Sequence, residues 1–93
     1  MDWTDRPPAA SYDLHGQRVL EAMKNAEGFL RSQAGARPGA VVRLVTGRGK
    51  SGGDAPIRSR TRSLLKRLKE QGTLVRDYAL EEGEGSFLVR LRP

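Results

Sequence analysis

Asp13, His15 and Gly16 set a carboxylate, an imidazole and a permissive glycine within four positions, "DLHG". An imidazole titrates near neutrality, so His15 could move a proton to or from a phosphodiester as a general acid or base. Asp13 could orient that imidazole or hold a divalent ion. On a strand the two side chains would share a face, because side chains alternate with a period of two. His15 is the chain's single histidine. Plainer roles fit the same residues: Asp13 capping the helix that follows, His15 a polar strand end. A second stretch, "TGRGKSGGD" (46–54), joins a glycine loop to Arg48 and Lys50. Backbone N–H groups and cations in such a loop suit a phosphate.

The elements that must position these residues are legible in the apolar spacing. "ASYDLH" (10–15) reads as a strand with Tyr12 and Leu14 on one face. Val19, Leu20, Ala22, Met23, Ala26, Phe29 and Leu30 recur at helical spacing over 17–33, and "AGARPG" then breaks the helix, with Gly35 as its C-cap. "AVVRLVT" (40–46) reads as a strand buried on both faces. Asp54 and Pro56 suit the start of a second helix, with Ile57, Leu64, Leu65 and Leu68 inward and Gly72 past its end. "LVRDYAL" (74–80) and "SFLVRLR" (86–92) read as strands joined by the hairpin "EEGEG".

The predicted order is β-α-β-α-β-β, a two-layer α/β sandwich on a mixed four-stranded sheet. The first two strands form a right-handed parallel crossover. Both motifs then end at one sheet edge, beside the N-termini of both helices, where open α/β sheets hold ligands. Residues 10–93 make the domain. Residues 1–9, with Pro7-Pro8, read as a disordered arm.

The chain has 93 residues, with 17 Lys and Arg against 11 Asp and Glu, a net charge of +6. Between Arg43 and Lys69 the only acid is Asp54, while Glu81, Glu82 and Glu84 fall in the hairpin. A clustered basic excess points to DNA or RNA as partner. Arg58, Arg62 and Lys66, on the outer face of the second helix, would reach phosphates with Arg48 and Lys50. With five aromatic residues, readout rests on backbone and shape. The absence of cysteine excludes disulfides and thiolate zinc sites. No apolar run approaches the ~20 residues of a membrane span, and the start lacks a signal-peptide core. A cytoplasmic protein with no membrane partner is expected. "GKS" (49–51) suggests a nucleotide-binding loop, but Leu44 stands where that motif needs its first glycine.

"DLHG" (13–16), followed by a helix opening through Glu21-Ala22, resembles the first signature of the Smr (small MutS-related) domain. "TGRG" (46–49) resembles the threonine form of its second, "HGxG" or "TGxG". The resemblance spans roughly residues 11–92 and looks like the stand-alone form of the domain. It implies a fold similar to the C-terminal domain of translation initiation factor 3, and nucleic-acid binding, often with nicking or endonuclease activity. The family's functional positions fall on Asp13, His15 and Gly16, and on Gly47, Arg48 and Gly49. Thr46 stands where other members have histidine. Two readings follow: a phosphodiester-cutting hydrolase, with Mg²⁺ or Mn²⁺ at Asp13 a possible aid, or a non-catalytic nucleic-acid-binding module. A third, a module meeting an acidic protein, rests on charge alone.

Overall fold

The period-two runs form four strands, β1 (Ala10–Asp13), β2 (Val41–Val45), β3 (Val75–Leu80) and β4 (Ser86–Leu91). The 3.6-periodic stretches form helices α1 (Val19–Ala36) and α2 (Ala55–Glu70). The computed structural model describes residues 2–48 and 55–93. β1 runs parallel to β2, with Asp13 opposite Val45. β4 pairs antiparallel with both β2 and β3, giving the sheet order β1-β2-β4-β3. The α/β sandwich matches the sequence expectation. The hairpin folds back so that its second strand is central, and Phe87, Val89 and Leu91 are accordingly buried.

One apolar cluster joins Val42, Leu44, Phe87, Val89 and Leu91 of the sheet to Ala22, Ala26 and Leu30 of α1 and to Ile57, Leu64, Leu65 and Leu68 of α2. Both helices therefore cover the same sheet face. The small Ala22 and Ala26 let α1 approach the strands closely, and each large buried side chain contributes roughly 1.5–3 kcal/mol.

This arrangement narrows the expectation that β2 is buried on both faces, which on the face away from the helices holds at Val41 alone. Val42 and Leu44 meet the helices, whereas Arg43 and Val45 are half-buried on the opposite face. Arg43 reaches across β4 to Glu81 in a two-pronged pair, Nε to Oε1 at 2.7 Å and Nη2 to Oε2 at 2.9 Å. Ser86 Oγ donates to the same carboxylate at 2.6 Å. The Arg43 hydrogen bond, set against the cost of burial and aided by Ser86, holds the Glu81 carboxyl below its ordinary value. A carboxyl lowered in the folded state contributes fully above its unfolded value and loses that contribution as pH falls through the folded one. Glu81→Gln is expected to cost about 1–2 kcal/mol at pH 7. The difference from wild type should narrow as pH falls beneath the ordinary carboxyl value and close only below the lowered folded one, where wild-type Glu81 is also protonated. Urea melts of both proteins at pH 7 and pH 3.5 measure it; a pH-independent difference would mean that shape, not charge, carries the effect.

Three details differ from expectation. α1 passes through Gly35 to Ala36, and the Arg37 N–H donates to Gln33 O at 2.7 Å; Pro38 then ends the helix, and the glycine of positive φ is Gly39. Leu20, expected inward, is 73% exposed. In the segment expected as a disordered arm, Trp3–Asp5 form a 3-10 turn whose Trp3 N–H donates to Asp2 Oδ1 at 2.8 Å. The Trp3 side chain also comes near the Asp77 carboxylate on β3, a neighbour 74 positions away that local composition does not reveal.

Candidate functional site

β1 stops at Asp13, so Asp13 and His15 are not paired on one strand face as the spacing suggested. Leu14 is instead drawn into the core, its N–H donating to Val45 O at 2.7 Å. The chain then turns. Asp13 Oδ1 accepts the His15 backbone N–H at 2.8 Å, and the Gln17 N–H donates to Leu14 O at 3.1 Å. Gly16, at φ +80°, holds the third position of that four-residue turn, which is the demand of a type II turn. Asp13 thus fixes the backbone that presents His15, and does not cap α1, whose N-cap is Arg18 without a side-chain bond. Asp13, His15 and Gly16 are all exposed.

An added Cβ at Gly16 would meet nothing within 4 Å, so Gly16→Ala isolates the backbone cost. The expected loss is about 1 kcal/mol, roughly 5 °C in melting temperature. A thermal melt measures it, and an unchanged midpoint would show that the turn relaxes freely.

Beside this turn, Thr46 follows the end of β2. It is fully buried, and its Oγ1 donates to the Gly47 carbonyl at 3.0 Å and to the Gly85 carbonyl at 3.4 Å. The N–H groups of Thr46 and Gly47 both donate to Gly85 O, at 2.9 and 3.0 Å. Gly47 adopts φ +81°, and Arg48 leaves the sheet exposed, with its Cγ 3.5 Å from where a Cβ on Gly85 would stand. Arg58, in the first turns of α2, donates to Glu84 O at 3.4 Å and lies 3.6 Å from Glu84 Oε1. The acids of the hairpin, remote in sequence from the basic run, therefore meet it in space. Gly49, Lys50 and the expected cap Asp54 lie outside the described residues.

The parallel pairing of β1 with β2 brings Asp13, His15, Gly16, Gly47, Arg48 and Arg58 to one edge. Arg62 and Lys66 follow Arg58 at four-residue steps, each about 6 Å along α2. They share the flank of Lys69, which reaches Asp77 of β3 at 3.1 Å. Among the described residues no three of His, Cys, Asp and Glu group as metal ligands. Asp13 supplies one carboxylate, with one oxygen already accepting an N–H. That donor set does not fit a dedicated Mg²⁺ or Mn²⁺ site.

A family model of the Smr domain matches residues 12–92, starting at the strand that delivers Asp13 and ending beyond β4. The chain belongs to the Smr family. The crystal structure of the Smr domain of Thermus thermophilus MutS2 matches it at a TM-score of 0.74 and 28% identity, over 91% of this chain and all of that one. No curated protein matches the chain significantly. No helix among the described residues is long and apolar enough to cross a membrane.

Within this Smr domain, sequence reasoning missed two supports of the edge. Gln17 Nε2 donates to Asp13 O at 3.0 Å, while its Oε1 accepts Asn25 Nδ2 at 2.9 Å, tying the turn to α1. Glu84 and Gly85 form the far wall through Arg58 and Thr46. An amide eight positions from its partner leaves no periodic signal. The left-handed φ of Glu84, +62°, is invisible until the hairpin is closed.

Proposed function

We propose that this Smr domain binds structured DNA or RNA along the edge of Asp13, His15, Gly16, Gly47 and Arg48, and cuts one phosphodiester strand there. The observation that carries the reading is the convergence, on one exposed edge, of the chain's single imidazole, a second glycine turn and the basic face of α2. Gly49 and Lys50 are proposed to continue the phosphate-binding loop, and Arg58, Arg62 and Lys66 to follow the backbone along α2. His15 serves as general acid or base. Asp13 acts as a positioning residue, because its carboxylate holds the backbone N–H of His15.

RNA suits so sparse a site. Its 2′-OH attacks phosphorus, the P–O5′ bond breaks, and the proton from the 2′-OH is balanced by one delivered to the leaving 5′ oxygen. The products are a 2′,3′-cyclic phosphate and a 5′-OH. Arg48 and backbone N–H groups would stabilise charge developing on the phosphoryl oxygens. DNA lacks that internal nucleophile and would require an activated water.

Thr46 supports the second reading, a binding module without cleavage. It occupies the position of the second motif's histidine, yet it is buried with its hydroxyl spent on backbone carbonyls, so it offers nothing to a reacting phosphate. Labelled branched DNA and structured RNA, incubated with the chain in Mg²⁺, Mn²⁺ or EDTA, separate the readings. Nicked product supports cleavage, and retarded but intact substrate supports the binding module.

A further inference from the structure

The basic residues of α2 divide between two flanks. Arg58, Arg62 and Lys66 face the β3 side. Arg60 and Arg67, seven positions or two turns apart, face α1 instead, where Arg67 meets Glu27 at 3.5 Å. Between the helices lies a cavity of about 230 Å³ lined by Met23, Arg60, Ser63, Leu64 and Arg67. It is smaller than the ~300 Å³ at which drug-sized sites begin. Its floor is apolar, Met23 from α1 and Leu64 from α2, and arginines stand at both ends.

Leu20 lies outside this lining but next to it on α1. It precedes Met23 by three residues, so the two are neighbours on the surface of α1. Leu20 is also the one large apolar side chain left exposed among the described residues. Both helices start from the sheet edge that carries His15, because each follows a strand of the parallel pair. The strip Leu20–Met23–Leu64 therefore runs from that edge into the cavity.

An apolar floor flanked by two planar cations, beside the edge proposed to bind phosphate, matches one part of one ligand class. We infer that the α1–α2 groove holds a single unpaired base of the bound strand, stacked against the guanidinium planes of Arg60 and Arg67. The inference rests on the nucleic-acid reading and deepens it by naming the substrate: a strand with at least one unstacked nucleotide beside the edge. Guanidinium planes and apolar side chains receive splayed bases in this way, and Ser63 adds a hydroxyl for a base edge. Arg60 has no acidic partner among the described residues, and Arg67 is oriented by Glu27.

The test uses substitutions that keep charge and remove the plane, Arg60→Lys with Arg67→Lys. Fluorescence anisotropy is read with a labelled single-stranded oligonucleotide and a blunt duplex of equal length, at fixed salt. The paired lysine variant is expected to bind the single strand about tenfold more weakly, the scale of one lost stacking contact, and the duplex as wild type does. Arg76→Lys, exposed on β3 and away from both flanks of α2, should change neither. Unchanged single-strand affinity in the Arg60 and Arg67 variant, with wild type binding both probes, overturns the groove and leaves the nucleic-acid reading standing. A loss equal on both probes assigns these arginines to phosphates and also overturns it. Wild type binding neither probe overturns both.

Discussion

His15→Ala is expected to reduce cleavage at least a hundredfold while leaving affinity for the same substrate within about twofold, the lower end of what a positioned general acid or base supplies. The separation follows from where His15 sits. Its backbone N–H donates to Asp13 Oδ1, and alanine keeps that N–H and with it this bond of the turn. The residue is exposed, and an exposed substitution away from caps and strained φ costs within about 0.5 kcal/mol. Asp13→Asn sharpens the test. An amide oxygen can still accept the His15 N–H, so that variant retains the turn and removes only the charge. If Asp13 acts through position, Asp13→Asn should cut far better than His15→Ala. If its charge supports the imidazolium, the two should fall together. Wild-type cleavage by His15→Ala would remove the imidazole from the mechanism. Equal binding with no cleavage by either protein would make "DLHG" a phosphate-binding turn.

Much of this was legible in the sequence because it depends on short-range chemistry. The period-two runs, the 3.6-period helices and the punctuation at Gly72 and Gly83 leave little freedom in element order, and a parallel first pair follows from the crossover rule. The two motifs read correctly as partners on one edge for the same reason. What was not legible is long-range. Leu20 satisfies the helical spacing as well as Met23 does, yet α2 packs one turn further along and leaves it in solvent. Arg43 looks like a break in a buried strand until Glu81, 38 positions on, closes over the open face. The acids at 81–84 read as a separate tip, although the antiparallel return of β4 folds them against Arg58. Each miss is a contact set by tertiary packing and by no local pattern.

Raising salt from 50 to 200 mM should weaken duplex binding by about a hundredfold, the loss expected when some four phosphate contacts release their counterions. Four is the number of described cations on the proposed track: Arg48, Arg58, Arg62 and Lys66. They are not equivalent. Arg58 already sits against Glu84 and must exchange one anion for another, so its share of the salt dependence is reduced. Arg62 and Lys66 have no acidic partner among the described residues and should each contribute a full counterion. Arg62→Ala with Lys66→Ala is therefore expected to lower the slope of log affinity against log salt by nearly 2, and Arg58→Ala by less than 1. Exposed pairs such as Arg58–Glu84 hold weakly, so Glu84 moderates the attraction without closing the site. Anisotropy titrations at four salt concentrations give all the slopes. A wild-type slope near zero would mean that the basic face of α2 meets no phosphate, and the net charge of +6 would then serve solubility or an acidic protein partner. A steep wild-type slope unmoved by the Arg62 and Lys66 variant would shift the track to the opposite flank of α2, where Arg60 and Arg67 lie.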